Sequence, residues 1–162
     1  MKFYVLTVSD SSFNGVREDL SGPEIEKILT EAGYELADRA ILPDERELLA
    51  KKMQEISDND KADLLLTTGG TGFSPRDITP EATSDVIERA VPGIPEAMRY
   101  YSLQITPQAM LSRATAGIRK GTLIINLPGN PKAVKECLTS ILPALDHGLK
   151  ILKGVANNCA RK

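Results

Sequence analysis

The sequence predicts an α/β protein of three layers, a mostly parallel sheet with helices on both faces. Three observations carry this. Short apolar runs alternate with stretches in which apolar residues recur at helical spacing, the pattern of strand and crossover helix repeated along the chain. The clearest runs are continuous rather than alternating, as strands buried on both faces require. Several end at glycine, proline or small polar residues, where open α/β sheets place their ligand crevice.

Taken in order, Phe3 to Val8 reads as a central strand ending at Ser9-Asp10-Ser11-Ser12, and Phe13 to Leu20 as a loop. Ser21 with Glu24 forms a candidate capping box for a helix carrying Ile25, Ile28, Leu29 and Ala32, stopped by Gly33. Leu36, Ala37, Ala40 and Leu42, with charges between them, outline an edge strand. Leu49, Met53 and Ile56 mark the next helix, for which Asp44 is the spaced N-cap and Glu47 its partner. A polar turn over 57–61 leads to the strand Leu64-Leu65-Leu66-Thr67-Thr68.

Thr79-Pro80 starts a helix with Ala82, Val86, Ile87 and Ala90 on its buried side, broken by Val91-Pro92-Gly93-Ile94-Pro95. Glu96 to Leu103 is a short helix, and Pro107 opens a stretch with Met110, Leu111 and Ala114. After a turn at Arg119-Lys120-Gly121 comes the strand Leu123 to Leu127. Asn130 as N-cap and Pro131 at the first position then start a helix with Val134, Cys137, Leu138 and Ile141, interrupted at Pro143 and resumed through Leu145, Leu149 and Leu152. Residues 1–154 read as one domain and 155–162 as a frayed tail.

Composition removes several function classes. A net charge of −2 offers no basic field for nucleic acid, so phosphate recognition must be local. The single histidine, His147, excludes multi-histidine metal sites, and Cys137 and Cys159 are too far apart in sequence for a metal-binding pair. No run reaches membrane-spanning length and the first ten residues lack an export signal, so a cytoplasmic location is expected.

The chemistry points to Thr67-Thr68-Gly69-Gly70-Thr71-Gly72-Phe73-Ser74-Pro75-Arg76-Asp77. Three glycines in four positions allow several N–H groups to face one concavity, a nest for phosphate, and the hydroxyls of Thr67, Thr68 and Thr71 add donors. No Gly-Lys-Ser/Thr follows, and the spacing is not that of a dinucleotide fingerprint. Asp44 and Asp77, each after a predicted strand, are the acids that could serve Mg²⁺, which takes a few carboxylate oxygens and completes its shell with water and phosphate. Spacing alone favours a capping role for Asp44. Arg76 is a candidate to neutralise phosphate or equally a solvated arginine, and Asp77 could pair with it or brace the loop.

These residues resemble the molybdopterin adenylyltransferases, the bacterial Mog proteins and the G domains of gephyrin and its plant counterpart. The resemblance rests on Leu66 to Thr83, above all Thr-Thr-Gly-Gly-Thr-Gly followed by Arg-Asp-Ile-Thr-Pro. It is supported by Ser9-Asp10, Leu42-Pro43-Asp44-Glu45, Pro92-Gly93, Ser112-Arg113, Gly117-Ile118-Arg119 and Ile124 to Lys132, and covers about residues 3–153. It implies the molybdenum cofactor biosynthesis fold, a homotrimer, and Mg²⁺-dependent reaction of ATP with molybdopterin to give adenylylated molybdopterin and pyrophosphate. Asp44 and Asp77 map onto the family's two functional aspartates, with Asp77 the more critical. Thr68, Gly69, Gly70, Thr71 and Gly72 would bind phosphate, and Ser9, Asp10, Gly129, Asn130 and Lys132 would line the rest of the pocket. A lysine in a first helical turn is unfavourable unless an anion is near, which favours a binding role for Lys132. Hand-over of product to a molybdenum insertase is a candidate partnership.

Three competing readings remain: a non-catalytic Moa-type pterin binder, a scaffold of the gephyrin kind, and a nucleotide hydrolase like the competence-damage domain. The stretch Cys137 to Leu145 with His147 resembles the gephyrin G domain and favours the adenylyltransferase over the first. A lone domain lacks the segments scaffolding needs, and Ser9-Asp10-Ser11 with no second domain argues against the third.

Overall fold

A computed structural model describes residues 1–155 of the 162-residue chain. The four expected strands are present as β1 (Lys2–Val8), β2 (Glu35–Leu42), β3 (Leu64–Thr68) and β6 (Thr122–Leu127), joined by β4 (Arg89–Ala90) and β5 (Ala116–Arg119). The sheet order is β2-β1-β3-β6-β5-β4. Its first four strands run parallel, and the β5–β6 and β4–β5 pairs are antiparallel. β2 is an edge strand, as its interspersed charges predict.

Alternation along the central strands feeds two cores. Phe3, Val5, Leu64, Leu66, Leu123 and Ile125 pack against α2 (Ser21–Glu31), α5 (Gly93–Leu103) and α6 (Pro131–Leu152). Tyr4, Leu6, Val8, Leu65 and Ile124 pack against α3 (Arg46–Asp58) and α4 (Thr79–Val86). A polar pair interrupts this second face: Thr67 and Asn126 are register partners on β3 and β6, both fully buried. Asn126 Nδ2 donates to Thr67 Oγ1 at 3.0 Å and Thr83 Oγ1 at 2.8 Å, while Asn126 Oδ1 accepts the Thr115 N–H at 3.1 Å. Truncation to alanine takes this donor from the fully buried Thr67 and Thr83 hydroxyls and the acceptor from the part-buried Thr115 N–H. Asn126→Ala should therefore cost about 2–3 kcal/mol, read as a lowered urea midpoint at unchanged slope.

Several local expectations are corrected. The polar cluster after β1 is a short helix, α1 (Asp10–Phe13), capped by Ser9. Ser21 does not cap α2. The N-cap is Leu20, without a side-chain bond, and Asp19 just before it accepts at Oδ1 from the amides of Ser21 and Gly22, both at 3.0 Å, while the Ser21 hydroxyl donates to Gly129 O at 2.8 Å. Nor does Asp44 cap α3, whose N-cap is Glu45 without a side-chain bond. α4 ends at Val86, because Ile87 turns extended (ψ 142°) and Ala90 belongs to β4. Gly93 opens α5 rather than breaking a helix, and the Pro107 stretch is one 3₁₀ segment, Pro107–Leu111.

Pro143 does not interrupt α6, which runs unbroken for 22 residues. It lies on the exposed face together with Thr139, so the carbonyl that the missing N–H leaves unpaired can turn to water. Asn130 and Pro131 start this helix as expected. The expected tail lies, apart from Val155, outside the described residues.

Candidate active site

The carboxyl ends of β1, β2, β3 and β6 are stitched together by short bonds. Ser9 N donates to Leu42 O at 2.9 Å, Gly69 N to Leu127 O at 3.2 Å, and Thr68 Oγ1 to Pro128 O at 2.7 Å. Gly69 (φ +101°) is required twice over, because a Cβ there would stand 2.3 Å from Val8 O. A Cβ on Gly129 would come within 3.2 Å of Gly69 Cα, so the two loops touch by backbone. Gly70 (φ +64°) completes the turn, its carbonyl accepting the Thr79 N–H at 3.1 Å. Among the described residues no acceptor is bonded to the amides of Gly70, Thr71 and Gly72. Those three N–H groups are the available anion nest.

Beside this turn sit the acids. The backbone N–H of Asp10 donates to Asp44 Oδ2 at 2.9 Å, and that of Asp44 to Asp10 Oδ1 at 3.0 Å. Asp44 Oδ1 accepts no bond from a described residue and faces Gly70. Burial pushes the Asp44 carboxyl above its usual range, reinforced by the charges of Asp10 and Asp77 and opposed by the Asp10 amide and Arg76. Asp10 itself is held low by Arg76. Asp77 Oδ2 accepts the Ser74 N–H at 2.8 Å and lies 2.9 Å from where a Gly72 Cβ would be.

The far side of the loop is pinned by Arg113. Its Nε donates to Gly72 O at 2.7 Å and its Nη2 to Asp77 O at 2.5 Å, its Nη1 pairs with Glu81, and its own N–H bonds Thr71 O at 3.0 Å. Two recesses open on either side of the turn. One of about 160 Å³ is polar, with Thr7, Ser9, Asp19, Ser21, Thr68 and Gly129 among its walls. The other, about 270 Å³ and mostly apolar, reaches from Thr71 and Gly72 to Met98, Leu111 and Cys137.

Residues 4–147 match the family described as "Probable molybdopterin binding domain". The chain belongs to this family. The molybdopterin adenylyltransferase of Helicobacter pylori J99 is 45% identical over 157 residues, covering 93% of this chain and 86% of the relative. That of Escherichia coli K12 is 42% identical over 158 residues, covering 96% and 80%. The crystal structure of the molybdopterin biosynthesis enzyme MoaB from Thermus thermophilus superposes with a TM-score of 0.89 at 44% identity, covering 94% of this chain and 96% of that one.

In this member of the molybdopterin-binding family the expected site residues divide into three groups. Asp44 and Asp10 are joined directly, and Asp77 with Gly70, Thr71 and Gly72 forms the adjoining loop. Ser9, Thr68, Gly69 and Gly129 line the polar recess, but the Ser9 hydroxyl caps α1 and the Thr68 hydroxyl holds the loop after β6. Thr67 is buried against Asn126, so neither Thr67 nor Thr68 offers the free donor the sequence implied. The Gly69 amide is likewise spent, on Leu127. Asn130 caps α6 by accepting the Lys132 N–H at 2.9 Å, and neither it nor Lys132 is among the residues lining these two recesses.

Phe73 is exposed over a shallow hollow with Asp77 and Glu81, away from the larger recess. Sequence reasoning gave no role to Arg113, Asp19 or Glu45. For Arg113 a signal existed: it is the sole charged residue between Arg99 and Arg119. Among the described residues no three His, Cys, Asp or Glu side chains form a metal cage. The open oxygen of Asp44 and the second oxygen of Asp77 fit instead a hard cation that keeps water and phosphate as its other ligands.

Proposed function

We propose that the chain is a molybdopterin adenylyltransferase acting in molybdenum cofactor biosynthesis. The observation that carries this is a single turn with three amides unpaired among the described residues, set between two recesses and beside a carboxylate oxygen that no described residue bonds. That arrangement can align two phosphate-bearing substrates for a transfer, and the curated relatives bear that name. The terminal phosphate of molybdopterin attacks the α-phosphorus of ATP, the bond to the bridging oxygen breaks, and pyrophosphate leaves. The attacking phosphate is already anionic, so alignment and charge neutralisation dominate over base catalysis.

The amides of Gly70, Thr71 and Gly72 hold phosphoryl oxygens. The apolar recess suits the flat pterin, with Ser102 and Gln108 as polar edges, and the polar recess takes part of the nucleotide. Mg²⁺ would be held by Asp44 and Asp77 and would supply charge neutralisation at the transferred group. No helix among the described residues is long and apolar enough to cross a membrane. The reading places the protein in the cytoplasm as a homotrimer that passes its product to a molybdenum insertase.

The test is pyrophosphate release with Mg-ATP and molybdopterin, against Mg-ATP alone. Release that depends on the pterin is expected. A second reading, a pterin binder without turnover, is what the family description, a probable molybdopterin binding domain, by itself supports. Bound pterin with no pyrophosphate would select it and sink the first.

A further inference from the structure

Arg76 precedes Asp77 in the glycine loop, where a cation for phosphate is expected, yet its guanidinium is engaged elsewhere. Nε donates to Asp10 Oδ2 at 3.0 Å and Nη2 to Asp10 Oδ1 at 2.9 Å, the parallel fork that only arginine supplies. Nη1 and Nη2 both reach Glu45 Oε1 at 3.1 Å. One side chain thus ties the loop after β3 to the start of α1 and to the N-cap of α3.

Asp10 passes the constraint on. Both of its carboxylate oxygens are taken, Oδ1 by the Asp44 amide and Arg76, Oδ2 by Arg76. Its own amide fixes Asp44 Oδ2, leaving Asp44 Oδ1 as the outward oxygen, 3.2 Å from where a Gly70 Cβ would stand. Without the guanidinium, the mutual repulsion of the carboxylates of Asp10, Asp44, Glu45 and Asp77 along one edge of the site is opposed in the Asp10–Asp44 pair only by the two reciprocal amide bonds. The pair is half exposed, so its contribution to global stability is small and its effect is on geometry.

We propose that Arg76 is a positioning residue: through its fork on Asp10 and the reciprocal Asp10–Asp44 bonds it aims the open oxygen of Asp44 at the phosphate turn. Asp10 is accordingly a brace rather than a wall of the substrate pocket. The inference deepens the adenylyl-transfer reading, and its turnover arm rests on that reading.

The experiment is a double-mutant cycle of Arg76→Gln and Asp10→Asn, with Arg76→Lys and with amide hydrogen exchange on the free protein. Arg76→Gln should lower kcat on the order of tenfold or more, with the ATP KM within about twofold and the melting point within a few degrees of wild type. Arg76→Lys, which keeps the charge and loses the fork, should stay slow. The double variant should be no slower than Asp10→Asn alone, because both act through one chain of contacts. Multiplied losses, or an ATP KM that rises with Arg76→Gln in either background, would mean a direct phosphate contact and overturn the proposal.

The exchange arm needs no substrate. The Asp10 and Asp44 amides should exchange faster in Arg76→Gln while the rest of the sheet is unchanged, and undiminished protection there would overturn the brace. If the wild type makes no adenylylated product, the functional reading fails while the exchange result still decides the role of Arg76.

Discussion

Asp77→Asn should remove most of the turnover, roughly a hundredfold or more in kcat, while the protein remains folded. Asparagine keeps an oxygen to accept the Ser74 N–H, and the main-chain carbonyl held by Arg113 is untouched, so the loop retains its shape. What is lost is one negative charge beside the glycine turn. An indirect explanation through Asp44 runs the wrong way. The charge of Asp77 pushes the Asp44 carboxyl up, so its removal leaves Asp44 more fully ionised. Single-turnover formation of adenylylated molybdopterin, with pterin binding measured separately, checks this. Wild-type rates in the variant would remove Asp77 from the chemistry.

Gly69→Ala should cost about 3–5 kcal/mol, enough to unfold a marginal domain, in contrast to glycines whose surroundings are open. The added methyl group would meet a backbone oxygen at 2.3 Å, at a φ that alanine adopts only under strain. Gly33→Ala separates the two contributions, since Gly33 has φ +88° and no atom within 4 Å of its missing Cβ. That control should lose about 1–2 kcal/mol, the conformational part alone. Urea unfolding of both variants makes the comparison. Equal losses would show that the contact with Val8 relaxes freely.

Part of the fold is legible in the residues alone. β1, β3 and β6 announce themselves because strands buried on both faces read as near-continuous apolar runs, and the start of α6 does so because Asn130-Pro131 has a specific capping geometry. β4 and β5 carry no such mark. They are two and four residues long, and their identity as strands comes from pairing with each other and with β6. The Pro143 break failed because tertiary packing of a long apolar face outweighs one missing hydrogen bond on the wet side.

At the site, residue types were legible and their commitments were not. The glycine turn with Asp44 and Asp77 could be assembled from strand ends alone. That Thr67, Thr68, the Gly69 amide and Arg76 are already bonded within the protein depends on partners distant in sequence, Asn126, Pro128, Leu127 and Asp10. Such long-range pairings have no local spacing to betray them.

The contact among Val8, Gly69 and Gly129 is made by main-chain atoms. Its demands are therefore independent of the side chain at position 8, which answers only to the core it packs in. No trimming of a neighbour can open room for a methyl group at 69, so second-site suppressors at position 8 are not expected. The seam between the β3 and β6 loops thus constrains position 69 through main-chain atoms that no side-chain substitution can remove.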